Sequence, residues 1–146
     1  MKKPLPVCQH VGIFVHDLEK VNRFYTRHLG FKIERDHVAD RKITKQIFGI
    51  NSSCRLQYLS LKGFGIELLY FQDTHLIKRR AKTSGTNHWT LLVEDKFEFC
   101  RNLKRKKIKV IEVDKSNSVT YFIKDPEENL IEIKNHEDSR SAKKRY

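Results

Sequence analysis

Two matching stretches decide the fold of this sequence: HVGIFVHD at residues 10–17 and HWTLLVED at residues 88–95. Each begins with a histidine, runs through apolar residues and ends at an aspartate. After each aspartate the apolar residues recur three or four positions apart, which predicts an amphipathic helix with Asp17 or Asp95 as its N-cap. A sequence that repeats in this way predicts two copies of one structural unit.

The later parts of the two copies also match. Alternating apolar and polar residues predict three further strands in each copy, and Gly63 and Asp125–Pro126 mark the turns between the last two strands. These strands are predicted at residues 31–33, 56–61 and 65–71 of the first copy and at residues 108–113, 118–123 and 130–134 of the second. Each copy is therefore a predicted βαβββ module, and the fold class is α+β.

The modules are expected to form a single domain over residues 1–136. The first module covers about residues 8–71 and the second about 86–135, with a polar, basic linker at 72–85 between them. A basic tail at 137–146 is predicted to be disordered. The first module is the longer one, and its extra residues lie at 36–50, where the apolar residues suggest a short amphipathic helix that forms either a lid or a packed loop.

Composition limits the function. No apolar stretch is long enough to span a membrane, and the N-terminus has no apolar segment of signal-peptide length. The three cysteines are far apart, which argues against a disulfide framework and favours the cytoplasm. The net charge is +12, but no nucleic-acid-binding motif accompanies it, so a solvated basic surface is the favoured interpretation and nucleic acid is not expected as a partner.

Four polar residues stand at matching positions in the repeat: His10 and Glu67 in the first module, His88 and Glu132 in the second. Because strand side chains alternate between faces, each glutamate points away from its apolar neighbours and away from the helix. A carboxylate or imidazole in such a place is costly unless it is paired. Two imidazoles and two carboxylates suit zinc, nickel, cobalt, iron or manganese, although a salt-bridged or ligand-binding pocket would use the same groups.

Over residues 8–135 the chain resembles the vicinal oxygen chelate superfamily, which contains glyoxalases, bleomycin-resistance proteins and extradiol dioxygenases. The matching pieces are His10-Val-Gly, Asp17-Leu18, Phe24-Tyr25, Leu29-Gly30-Phe31, Ile66-Glu67-Leu68, His88 and the ending Phe122, Asp125-Pro126, Asn129, Glu132. The resemblance implies that the two mixed sheets curl into an open cup around a metal site.

Within that superfamily the set His10, Glu67, His88 and Glu132 is most similar to the glyoxalase I branch. This resemblance implies a metal-dependent lyase or isomerase that moves a proton next to a carbonyl through a metal-bound enediolate. Glu132 is then the first candidate for the catalytic base and Glu67 the second. The implied cofactor is one divalent ion, with nickel, cobalt and zinc favoured over iron and manganese, and the implied assembly is a homodimer.

Two positions depart from the glyoxalase I pattern. Phe14 stands where glyoxalase I carries a glutathione-binding arginine, and Phe71 replaces an asparagine that commonly follows the fourth-strand glutamate. The substrate is therefore expected to be a small molecule, a thiol adduct or a thioester, with glutathione an open question. Two alternatives remain: a three-ligand dioxygenase or fosfomycin-resistance-type transferase, and a metal-free small-molecule binding or resistance protein.

Overall fold

Both predicted modules are present in the computed structural model, which describes residues 6–78 and 82–137. The chain divides into two units, residues 1–78 and 79–146. Each unit contains one four-stranded mixed sheet, so the predicted α+β class and the duplicated βαβββ pattern are confirmed. In the described ranges, none of the helices is long and apolar enough to cross a membrane.

The first unit has a sheet in the order β1-β4-β3-β2, with β1 and β4 parallel and the other neighbours antiparallel. It carries one helix more than the basic module, because residues 41–48 of the predicted insertion form α2. Its elements are β1 (His10–Val15), α1 (Leu18–Leu29), β2 (Lys32–Ala39), α2 (Arg41–Phe48), β3 (Cys54–Leu61) and β4 (Phe64–Tyr70).

The second unit repeats this topology in the order β5-β8-β7-β6, again with one parallel pair, between β5 and β8. Its elements are β5 (His88–Val93), α3 (Lys96–Arg105), β6 (Val110–Lys115), β7 (Ser118–Lys124) and β8 (Leu130–Asn135). The tail predicted at 137–146 lies, apart from Glu137, outside the described residues.

The two predicted N-caps are confirmed. The Asp17 side chain accepts a hydrogen bond from the backbone N–H of Lys20, and the Asp95 side chain accepts one from Phe97 and one from Glu98. These bonds satisfy backbone donors that have no partner inside the helix. Gly30 ends α1 in the left-handed conformation, at φ 81°, where a side chain would be strained.

The core of each unit lies between its sheet and its capped helix. In the first unit α1 packs on β4, and Tyr25 and Leu59 are among the fully buried side chains. In the second unit α3 packs on β6 and β8 through Cys100 and Leu103. Each fully buried large apolar side chain stabilises the folded state by on the order of 2 kcal/mol. This burial determines which face of each sheet packs on the helix and which face is turned away from it.

We call the sheet face opposite α1 or α3 the open face of that unit. Glu67 lies between Ile66 and Leu68, which are fully buried on the helix side, so its own side chain is on the open face. Glu132 lies between the buried Ile131 and Ile133 and is on the open face of the second unit for the same reason.

Candidate functional site

The first half-site consists of His10 and Glu67 on the open face of the first unit. The parallel register of β1 and β4 pairs His10 with Gly65 and Gly12 with Glu67, which makes the two functional residues diagonal neighbours. His10 Nε2 lies 3.9 Å from Glu67 Oε2, and both side chains are partly exposed. His10 Nδ1 is 3.0 Å from the side-chain oxygen of Gln9. If Nδ1 donates its proton there, the lone pair of Nε2 faces Glu67.

The second half-site, His88 and Glu132, has the same construction. His88 Nε2 lies 3.7 Å from Glu132 Oε2, and His88 Nδ1 is 2.9 Å from the side-chain oxygen of Asn87. Gln9 and Asn87 therefore have the same role in the two half-sites. Each amide can fix the tautomer of the neighbouring histidine that presents Nε2 to the carboxylate. Sequence reasoning missed both amides, although each directly precedes its histidine in the repeat.

An aromatic ring completes each half-site. Tyr58 is paired with Glu67 in the register of β3 and β4, and its ring meets the His10 ring edge-on at a centroid distance of 5.7 Å. Phe122 is paired with Glu132 and meets His88 in the same way at 5.6 Å. Both rings sit at the same place in the repeated hairpin and limit the rotation of the imidazole.

The two half-sites differ at the positions that flank the glutamate. Glu132 Oε2 accepts a hydrogen bond from Thr90 Oγ1 at 3.1 Å and lies 3.0 Å from the ammonium of Lys134. The corresponding positions of the first unit are Gly12 and Leu69, which bring neither a hydroxyl nor a charge. The carboxylate of Glu132 is also the more buried of the two, with 10% of its side chain exposed against 23% for Glu67.

Each His–Glu pair fits two ligands of one divalent metal. Two donors that each bind at about 2.0–2.2 Å cannot be more than roughly 4.2 Å apart, and the measured separations of 3.7 and 3.9 Å meet that limit. In the part of the chain that the structure describes, no three His, Cys, Asp or Glu side chains lie together closely enough to hold a metal. The assignment of all four residues to one metal stays a prediction.

The predicted insertion packs against the open face of the first unit. Phe48 at the end of α2 meets Phe14 and Phe71 edge-on, at centroid distances of 5.3 and 6.3 Å. Phe14 and Phe71 also meet each other, at 5.6 Å. Both phenylalanines that depart from the glyoxalase I pattern thus belong to one aromatic cluster, in which Phe14 and Phe48 remain 43% and 37% exposed.

The cysteines offer no nucleophile in the folded core. Cys54 and Cys100 are buried free thiols, and burial raises the pKa of each to about 11. Both thiols are therefore protonated near neutral pH and are weak nucleophiles.

The sequence and the fold were compared with known proteins. The family model of the Glyoxalase/Bleomycin resistance protein/Dioxygenase superfamily matches residues 8–133, which confirms the resemblance seen in the sequence. No functionally curated protein matches.

Several solved structures share the fold. The trypanothione-dependent glyoxalase I of Leishmania major is 23% identical with a TM-score of 0.72, over 96% of this chain and 94% of that one. A glyoxalase family protein from Bacillus cereus is 19% identical with a TM-score of 0.74, over 92% of this chain and 96% of that one. A lactoylglutathione lyase from Agrobacterium tumefaciens is 16% identical with a TM-score of 0.62, over 92% and 96%. At such identities the likeness supports the fold alone.

Proposed function

We propose that this chain, a member of the Glyoxalase/Bleomycin resistance protein/Dioxygenase superfamily, is a metal-dependent lyase or isomerase that moves a proton next to a carbonyl group. The observation that carries the proposal is the duplicated half-site, in which a histidine oriented by an amide faces a glutamate at 3.9 Å or 3.7 Å. If these residues only formed structural ion pairs, there would be no need for an amide, an imidazole, a carboxylate and an aromatic ring at equivalent positions of both modules.

His10, Glu67, His88 and Glu132 would hold the ion, which would supply Lewis acidity toward two neighbouring oxygens of the substrate. The chain's own contribution is the proton transfer. A carboxylate on the open face would take the proton from the carbon beside the carbonyl and return it to the next carbon. Glu132 is the first candidate for this base and Glu67 the second.

The aromatic cluster indicates which kind of substrate the site would accept. Phe14 shares the open face with His10, four residues further along β1, and Phe71 follows Glu67 by four residues, directly after β4. These rings favour an apolar group over the charged end of a peptide thiol such as glutathione. We therefore propose a small-molecule thiol adduct or thioester whose remote part is apolar, acted on in the cytoplasm by a homodimer.

A first experiment is to load the full chain with nickel, cobalt or zinc and follow the isomerisation of adducts between 2-oxoaldehydes and a panel of charged and apolar thiols. We expect turnover, with E132Q reducing kcat at least about a hundredfold, in the range of a lost general base. E112Q changes an exposed glutamate of the same unit and is the matched control, expected to act like the wild type. Full activity in E132Q, with E67Q inactive, would transfer the role of base to Glu67.

One observation favours a second candidate function, a small-molecule binding protein without a metal. The Glu132 carboxylate already has a positive partner, because the Lys134 ammonium is 3.0 Å away. Metal analysis of the full chain separates the two candidates. About one divalent ion per chain, lost in both H88A and E67A, supports the lyase or isomerase. Loss in H88A with retention in E67A would favour a three-ligand dioxygenase or transferase, and failure to bind any of the ions would leave the binding protein.

A further inference from the structure

The Lys134 ammonium forms an ion pair with Glu132, on the open face of the second unit. It lies 3.0 Å from Glu132 Oε2, the same oxygen that accepts the Thr90 hydroxyl at 3.1 Å and faces His88 Nε2 at 3.7 Å. This one oxygen therefore has three polar neighbours. The glutamate side chain is 10% exposed, whereas the lysine side chain is 43% exposed.

The contact follows from the strand itself. Glu132 and Lys134 are two residues apart on β8 and so share a face. The corresponding residue of the first unit is Leu69, which is 2% exposed and packed with Cys54 and Leu56. The second half-site thus contains a cation of its own at a position where the first half-site has a buried leucine.

We propose that Lys134 is the resident counter-cation of the second half-site, and that a divalent metal binds Glu132 in exchange for it. This inference rests on the proposed function, because it requires Glu132 to be a metal ligand. An ammonium and a divalent ion a few ångströms apart repel each other. The metal must displace the ammonium from Oε2 or bind beside it, and either lowers the affinity. Lys134 sets the metal affinity of the chain below what the four ligands alone would give.

The experiment measures binding of cobalt(II) alone to the full chain by calorimetry and by the absorption of the bound ion. We expect K134M to bind cobalt about tenfold more tightly than the wild type, whereas K134R retains the positive charge and stays near the wild type. K124M is the matched control. Lys124, on the neighbouring strand β7, pairs with Glu128 at 2.6 Å and not with Glu132. Circular dichroism establishes that each variant is folded.

The outcomes separate the inference from the function on which it rests. Equal or weaker cobalt binding by K134M, with the wild type still binding, overturns the role of Lys134 and leaves the proposed function standing. Tighter binding by both K134M and K134R also overturns it, because a change of shape rather than of charge would then be responsible. Failure of the wild type and all variants to bind cobalt overturns the proposed function together with the inference.

Discussion

The first and second modules place the same pair of functional groups in different surroundings. In the first module Glu67 is flanked on its own face by Gly12 and Leu69, which bring neither a hydroxyl nor a charge, and the imidazole of His10 faces it. In the second module Thr90 and Lys134 take those positions, and both contact Glu132. Duplication has kept the strand register and the His–Glu pair, while the flanking positions have changed, so the two carboxylates differ in hydrogen bonding and in charge.

Exchanging the flanking residues is the strongest test of this difference. Lysine at position 69 would replace a leucine that is 2% exposed and packed in an apolar cluster with Cys54 and Phe71. We expect L69K to lower the free energy of unfolding by at least about 3 kcal/mol, because it removes apolar burial and places an ammonium in an apolar site. Urea denaturation followed by circular dichroism measures the change.

The reverse exchange provides the control. Lys134 is 43% exposed, so K134L removes a partly solvated ion pair and should change the free energy of unfolding by less than about 1 kcal/mol. A similar loss in both variants would mean that position 134 is as much a part of the packed core as position 69. The proposed asymmetry of the half-sites would then be wrong.

The sequence predicted the features that both modules share. The succession of one strand, one helix and three strands follows from apolar periodicity that occurs in both copies, as does the placement of Glu67 and Glu132 on the face opposite the helix. The N-caps follow from the repeated aspartates Asp17 and Asp95. The fold class was predicted correctly from the repeat, and the family from the resemblance of particular motifs, such as the ending from Phe122 to Glu132. Repetition makes each weak local signal stronger, because one module predicts what the other should contain.

Features specific to one module could not be predicted in this way. Lys134 follows an apolar run, as a solvent-exposed lysine would. Its spacing places it on the same face as Glu132, but only the structure shows that its ammonium lies 3.0 Å from Glu132 Oε2. The strand predicted at 31–33 is in fact the start of β2, which continues to Ala39 because its partner β3 pairs along the whole length. Pairing partners are distant in sequence, and a propensity pattern does not show them.

A smaller expected effect concerns the ring above each histidine. A Cβ added at Gly65 would lie 2.3 Å from the Tyr58 hydroxyl, so the tyrosine ring leans over this glycine. The second module has Leu130 at the matching position and Phe122 as the ring. We expect G65A to move the tyrosine and to cost about 1–2 kcal/mol of stability, measured by urea denaturation. G12A is the matched control and should cost less, because its Cβ would meet a leucine methyl at 3.2 Å. Equal losses would show that Tyr58 moves freely.

The smallest effect expected concerns an exposed ion pair on the helix side of β2. Asp36 accepts hydrogen bonds from Arg55, at 2.7 and 3.0 Å, and from Gln57 at 2.7 Å, and these bonds lower the pKa of its carboxyl group. A pKa that is lower in the folded chain than the ordinary 3.8 stabilises the fold above that pH, and the contribution disappears as the pH falls through the folded value. D36N should therefore cost less than about 1 kcal/mol at pH 7, since the pair is solvent-screened.

The same register position in the second module holds Glu112, which is paired with Lys104 of α3. There the hydrogen bond to Glu112 raises the pKa of Lys104 above its ordinary 10.5. The pair therefore stabilises the fold fully below pH 10.5, and this contribution is lost as the pH rises through the folded value. We expect the destabilisation by D36N in urea denaturation to shrink as the pH falls below 3.8, and a destabilisation by E112Q to shrink as the pH rises above 10.5. A D36N deficit that is constant from pH 7 to pH 3 would show that the aspartate acts through shape and not through charge.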